Sequence, residues 1–534
     1  MPSDFKPLLD RIQERETWLG VVSAWTWSAT LLQSSTAAYT FGVSGPWWYG
    51  VGGTIQLAIF GMVAAKVKMN ANGAHTFLEI VKVRFGTGPH LLFTFYAFLC
   101  IMVVCGSLLL GGAATVNALT GMNILAACFL LPIGIAVYVI VGYESGDLEL
   151  HLSVIGVTPL FFSLSYISTF GTSPATDGVS GFYNLLVTAG RQSPVIGNQD
   201  GSYLTMKSNQ GLVFGAATIL SGFSGIFCDQ GYWQRAIASH PKSTTKAYML
   251  GGLSWFAVPF AFASCLGLAA RALQNDPRFP TFPEPLSASQ VSAGLAAPAA
   301  AAVVMGKGGA IAVLLVVFAE LIAVSSLFSY DIYKAYFFPK ARGPEIVRVS
   351  HMFICFWAVW MGCWATILHK ANIDLGWLFY VQGVVLSPAV IPIALTVTWR
   401  KLTSAGIIAG ALLGASLGMT AWMIGCWKIY DPADYDFKGT RGIANLDIDI
   451  EGDAVNKSSS DVVDAKSPSI EKSEKDPADI RTDAVVAADE NTSSNGPDEE
   501  EQPSMATLKL AFKKAAWYSL TLTSIVTVIA IYAD

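Results

Sequence analysis

The stretch SAWTWSATLLQSS, residues 23–35, sits in the first part of this chain long enough to cross a bilayer. Seven of its 13 residues are Ser, Thr or Gln, and in hydrocarbon each such group costs free energy unless the protein supplies a partner. A span carrying so many polar groups reads as a helix broken at a solute site. The competing reading is packing, because small residues let membrane helices approach closely.

The rest of the chain is built for a bilayer. Of 534 residues, 53% are hydrophobic and 13% charged, and the mean hydropathy is +0.49, outside the range of a soluble domain. Apolar runs able to span about 30 Å recur twelve times, at 20–41, 47–67, 90–119, 122–142, 152–170, 211–233, 247–270, 309–333, 348–368, 376–398, 403–427 and 511–531. The fold class is an all-α polytopic membrane protein. The net charge of -5 says little about partners, since the acidic surplus lies mainly in 431–505. Nothing suggests nucleic acid, and membrane lipid is the expected surrounding. Cys100, Cys105, Cys128, Cys228, Cys265, Cys355, Cys363 and Cys426 lack the paired spacing of metal ligands and read as packing residues. The opening MPSDFKPLLDRIQERETW is charged and has no short apolar core, so no cleavable signal peptide is expected. The chain has no Walker motif, no helix-borne HExxH and no GxSxG elbow, so neither an enzyme nor a cofactor is expected.

Basic residues cluster after the second span (Lys66, Lys68, Lys82, Arg84), the sixth (Arg235, Lys242, Lys246), the eighth (Lys334, Lys340, Arg342) and the tenth (Arg400, Lys401). These loops fall on one side, which the positive-inside rule makes cytoplasmic. Lys6, Arg11 and Arg15 place the N-terminus, residues 1–19, there too. After the tenth span the parity fails. A peripheral span at 401–430 should exit outward with the acidic segment 431–505, yet Lys509, Lys513 and Lys514 look like cytoplasmic anchors of the last span, within 506–534. One span is missing from the count. Segment 431–505 has the composition of a disordered region. Ser467 is a candidate phosphorylation site if the segment is cytoplasmic, and Asn456 and Asn491 are glycosylation sequons if it is outside.

Spans one to five, within 20–170, and six to ten, within 209–400, form two blocks joined by an extracellular loop, 171–208. Five is odd, so the blocks have opposite orientation, which is the arithmetic of an inverted repeat. In that architecture the first helix of each block unwinds near the midplane. The second candidate break is ILSGFSGIFCDQGYW, residues 219–233, where Gly222 and Gly225 lower the cost of leaving helical geometry.

The strings VVSAWTWSATLLQSSTAAYTFGVSGPWWYGVGGTIQ, NGAHTFLEIVKVRFG, LLLGGAATVNALTGMN, FCDQGYWQRAIASHPKSTTKAYMLGG, ELIAVSSLFSYDIYKAY, LSPAVIPIALTVTWRKLT and DYDFKGTR resemble the urea active transporters of fungi and plants, within the sodium:solute symporter family. The resemblance implies a leucine-transporter-like five-plus-five inverted repeat with peripheral helices. It also implies cation-coupled urea uptake at the plasma membrane, with Na+ or H+ as coupling ion; some fungal members carry polyamines. Site residues follow by position. Backbone carbonyls near Ala24 and Trp27 would contribute to a cation site, since a hard cation takes oxygen ligands. Trp25, Thr26, Ser28 and Gln33 would border the solute, with Tyr380, Gln382 and Ser387 facing them from span ten. Urea is small, planar and neutral, with four N–H donors and one acceptor, so its site needs oxygen acceptors and a flat aromatic wall. For Trp25 and Tyr380, packing is the competing role. Asp229, Gln230, Trp233, Gln234 and Arg235 read as a helix-end polar network forming part of an inner gate. His75 and Glu79 read as a local surface pair.

The chain also departs from the pattern. Between Phe318 and Glu320 relatives carry about two further helical turns, rich in the hydroxyls that serve the sodium site; Ser325 and Ser326 remain but lie below it. Residues 143–170 are expected to be read out of frame. The span demanded by parity is expected to be missing where CWKIYDPADYDFKGTR joins the acidic segment, and relatives extend further at both ends. A polyamine would need carboxylates in the cavity, and Glu320 is the main intramembrane acid. The readings in play are thus a urea symporter impaired by missing segments, a non-transporting degenerate isoform or sensor, and a symporter for polyamines or another small solute. The oligomeric state is left open.

Overall fold

The computed structural model describes residues 21–22, 25–26, 28–71, 74–142, 163, 165–239, 244–306, 325, 327–429, 513 and 517. Outside them lie Ala24, Trp27, Ser326, Glu320 and most of the stretch expected out of frame. Also outside are the shortened part of span eight, segment 431–505 with Ser467, Asn456 and Asn491, and nearly all of the last span.

Among the described residues the regular structure is helical, with one isolated β-bridge, Asn198 to Ser208. Helices α1 (Ser28–Phe41) and α2 (Ser44–Asn70) form a hairpin, followed by the short α3 (Phe77–Phe85), then α4 (Thr87–Thr120) and α5 (Ile124–Gly142). The 171–208 stretch contains α6 (Gly178–Gln192). Helices α7 (Asn209–Cys228) and α8 (Gln230–Ala238) lead into α9 (Thr244–Ala272). After the short α10 (Ala288–Ser292) and α11 (Ala296–Val304) come a π-helical segment, Leu327–Phe337, and the long α12 (Gly343–Lys370), α13 (Leu375–Thr398) and α14 (Ser404–Ile429).

Seven described helices, α2, α4, α7, α9, α12, α13 and α14, are long and apolar enough to cross a membrane. A helix is the natural form there, because it pairs its own backbone groups where no water can. Helix α4 has 34 residues, about 51 Å at 1.5 Å per residue, longer than the hydrocarbon core. Burial ranks the spans: the apolar window of α2 is 83% buried and that of α14 only 11%. The first is central and the second peripheral. Pro259 lies four residues before a π-turn at Ala263–Gly267.

Small residues let α2 sit in the middle. A Cβ on Gly53 would lie 2.1 Å from the Trp255 ring of α9, and one on Gly52 2.9 Å from Thr218 of α7. Glycine is required at such close approaches. Gly53→Val is expected to destabilise the protein by about 1–3 kcal/mol, the usual cost of overpacking, read as a lowered thermal midpoint in detergent.

The break in the second half is not where the glycines suggested. Helix α7 runs unbroken through Gly222 and Gly225, and the chain leaves helical geometry at Asp229, with φ -87° and ψ 123°. Asp229 caps α8, its Oδ1 accepting from the Gly231 N–H at 2.8 Å. The two glycines serve packing instead: a Cβ there would meet Gln56 (2.1 Å) and Gln382 (2.9 Å). In the first half, Thr26 is non-helical and α1 starts at Ser28.

The loops after spans two, eight and ten meet on one face, consistent with the clustering of their basic residues. Lys82 Nζ donates to Ala335 O (2.9 Å), Asn70 Nδ2 to Val397 O (2.9 Å), and the Arg84 guanidinium to Thr396, Trp399 and Arg400 carbonyls. Six of the eight cysteines are buried, but Cys355 is exposed and Cys363 half-buried, so packing does not account for all eight. His75 is mostly exposed, lies 3.5 Å from Glu79, and stacks on Tyr330.

Candidate functional site

Both interruptions deliver a wall of the same cavity. Trp25 stands immediately before the non-helical Thr26, and Tyr232 is three residues past the Asp229 break; their rings meet edge to face at 5.9 Å. Trp255 of α9 adds a second perpendicular contact to Trp25 at 5.0 Å. Tyr49 of α2 and Phe379 of α13, stacked at 6.0 Å, complete an aromatic enclosure. The cavity has a volume of about 40 Å³. It is on the scale of a few waters, room for a small solute.

The break at Thr26 frees the Trp25 carbonyl, and two donors take it: Thr30 Oγ1 at 2.7 Å and the Trp255 indole N–H at 2.8 Å. This exposed end of a broken helix is therefore satisfied from within the protein, as a low-dielectric setting demands.

Two amides set the cavity's polarity. Gln56 is fully buried, and its Nε2 donates to the Thr218 and Ile219 carbonyls, both at 3.0 Å. That fixes which end of the amide is oxygen, and Oε1 has no hydrogen-bond partner among the described residues. Gln382 Nε2 donates to Ser221 O (2.9 Å), while Ser221 Oγ and Ser224 Oγ donate back to Phe379 O (2.9 Å) and Gln382 O (3.2 Å). These bonds lace α7 to α13 and hold the Gln382 side chain at the wall. No described residue lining the cavity is charged. The arrangement suits a small neutral molecule that donates hydrogen bonds and has a flat face.

The site residues expected from sequence divide among several places. Trp25 and Gln382 line this cavity. Gln33 and Tyr380 do not; they line a second cavity of about 20 Å³ with Thr36, Thr40, Phe214 and Ser292. The rings of Phe214, Tyr49 and Phe379, 6.0–6.3 Å apart, stand between the two. Thr26 is half-buried and donates to Val22 O at 2.8 Å, and Ser387 is half-buried; neither lines either cavity. Ala24, Trp27 and the Ser28 side chain lie outside the described residues. Of the expected inner network, Asp229 is a helix cap and Gln230 Nε2 reaches Asp331 at 3.4 Å. Trp233 is fully buried against Phe60 and Phe77, donating to Phe227 O at 2.9 Å. Gln234 is half-buried, and Arg235 lies over the Tyr232 ring at 5.8 Å. The sequence reading missed Gln56, Tyr49, Tyr232 and Trp255. Gln56 had a usable signal: a lone amide in the apolar run GVGGTIQLAIF. Among the described residues no group of three or more His, Cys, Asp or Glu could hold a metal ion.

A multi-pass helical chain with two interrupted helices around a small central cavity has the leucine-transporter architecture. A Na+-coupled sialic acid symporter, solved in a substrate-bound outward-open state, shares the fold at a TM-score of 0.54 and 15% identity, over 76% of this chain and 88% of that one. The chain belongs to the sodium:solute symporter family, whose profile matches residues 21–414. Its relatives include the urea-proton symporter DUR3 of Oryza sativa subsp. japonica, 42% identical over 444 residues, 78% of this chain and 60% of the relative. They also include the probable urea active transporter 1 of Schizosaccharomyces pombe (39%, over 76% of this chain and 62% of the relative) and the urea active transporter of Saccharomyces cerevisiae (37%, over 78% and 58%). The chain thus spans about 60% of the length of these curated relatives.

Proposed function

We propose that this chain is a cation-coupled urea symporter of the plasma membrane, working by alternating access. The observation that carries the reading is the Gln56 oxygen, unpaired among the described residues, inside a small aromatic cavity whose described lining is uncharged. Urea is small and planar, and its N–H groups supply the donor that Gln56 Oε1 lacks, while its planar face lies against Trp25, Tyr49 or Tyr232. The relatives' names point to the same solute. A polyamine would bring two or more positive charges into a cavity whose described lining has no carboxylate, a costly burial. The coupling ion is Na+ or H+, and the rice relative's name favours H+. The face bearing Lys82, Arg84 and Arg400 is cytoplasmic under the positive-inside rule.

The test is radiolabelled urea uptake in cells lacking their own urea uptake. Accumulation above the external concentration, abolished by collapsing the cation gradient, is expected; putrescine in excess should not compete. Binding without accumulation would support the sensor reading instead.

A further inference from the structure

A second polar cluster, where α3, α4, α8 and the Leu327–Phe337 segment meet, takes no part in lining the cavity. His90, near the start of α4, and Asp331 are each only 1% exposed. Asp331 Oδ1 accepts from Thr76 Oγ1 (2.8 Å), and its Oδ2 from Gln230 Nε2 (3.4 Å). His90 Nδ1 lies 2.6 Å from Tyr336 OH. Its Nε2 faces Asp331 Oδ1 at 3.9 Å, beyond hydrogen-bond reach, and has no hydrogen-bond partner among the described residues.

The charges around the pair come from every side. Glu79 of α3 acts electrostatically on Asp331. Lys82, also of α3, lies 4.2 Å from the Tyr336 ring centre and donates to Ala335 O. Lys334 lies over Tyr330, Glu345 of α12 accepts from Tyr333 OH at 2.7 Å, and Asp229 is engaged in capping α8. No cation among the described residues is paired with Asp331 other than His90 once protonated. The pair therefore carries one negative charge without a proton and none with it. A buried uncompensated charge is costly, and a proton on Nε2 both neutralises the pair and aims a donor at Oδ1.

We propose that His90 and Asp331 form a proton-binding site, and that one bound proton holds this face of the protein closed until it is released. The partners of the pair sit on separate elements whose relative movement opens such a face. Thr76 precedes α3, His90 is on α4, Gln230 opens α8 just past the break, and Tyr336 belongs to the π-helical segment. Gln230 is two residues from Tyr232, a wall of the solute cavity, so the site is joined to the solute through one turn of α8.

The gradient arm of the test rests on the urea-symport reading. The purified chain, His90→Gln and Asp331→Asn are reconstituted in liposomes and given an inward proton gradient. Wild type is expected to concentrate urea. The variants are expected to keep urea counterflow but to stop at the external concentration; gradient-driven accumulation equal to wild type would overturn the site. A second measurement does not need urea. The wild-type thermal midpoint is expected to vary with pH, and that variation to shrink in both variants. Identical pH profiles overturn the proton site whatever the transport result. Wild type that neither exchanges nor concentrates urea defeats the transport reading and leaves the thermal profiles to decide this one. If His90→Gln does not fold, Asp331→Asn carries the comparison.

Discussion

Gly222→Ala should leave the protein folded while raising the KM for urea roughly tenfold to a hundredfold, the loss of about 1–3 kcal/mol of hydrogen bonding in a buried setting. The new Cβ would stand 2.1 Å from Gln56 Oε1 and 2.3 Å from its Nε2. These atoms end a flexible side chain, so the amide can swing aside without moving either helix. Swinging breaks the two bonds to Thr218 and Ile219 carbonyls that aim Oε1, and so removes the acceptor offered to the solute. The alternative is that Gly222 matters only for helix packing, in which case thermal stability falls and KM does not. A cycle with Gln56→Ala separates the two. If Gly222 acts through Gln56, adding Gly222→Ala to the Gln56 variant changes urea KM little further; additive effects would show two independent roles.

The cycle also marks where the sequence was readable. The spans follow from hydropathy alone, because length and apolarity are what a bilayer demands. The break near Thr26 follows from the polar crowding in SAWTWSATLLQSS. The second break was misplaced because glycine reads equally as a weak point in a helix and as a site of close approach. The better cue was Asp229, an N-cap residue directly before a new amphipathic run. The grouping of site residues failed for a geometric reason. Gln33 lies eight residues beyond Trp25, about 12 Å along a helix, too far to share so small a cavity. Tyr380 and Gln382 are two residues apart, about 200° around a helix, so they face different cavities. Tyr49, Gln56 and Trp255 come from spans outside the two candidate breaks, and only the folded arrangement brings them to Trp25.

Trp255→Phe tests whether the broken helix is held from outside itself. Phenylalanine keeps a ring against Trp25 and Tyr49 but loses the indole N–H that reaches the Trp25 carbonyl at 2.8 Å. Thr30 Oγ1 still serves that carbonyl at 2.7 Å, so the single variant should lose about 1 kcal/mol of stability, the net worth of one hydrogen bond. Thr30→Val alone should cost a similar amount. Together they leave a buried carbonyl with neither donor, and a full desolvation penalty of about 1–3 kcal/mol then falls on the break itself. The double variant is therefore expected to be less stable than the sum of the singles, with a coupling of about 0.5–3 kcal/mol, and to lose urea uptake because Trp25 is no longer held as a cavity wall. Thermal midpoints in detergent give the coupling, and uptake in cells gives the functional loss. Strict additivity would mean that Trp255 contributes only as a hydrophobic wall, and that the segment at Thr26 is held by residues other than these two donors.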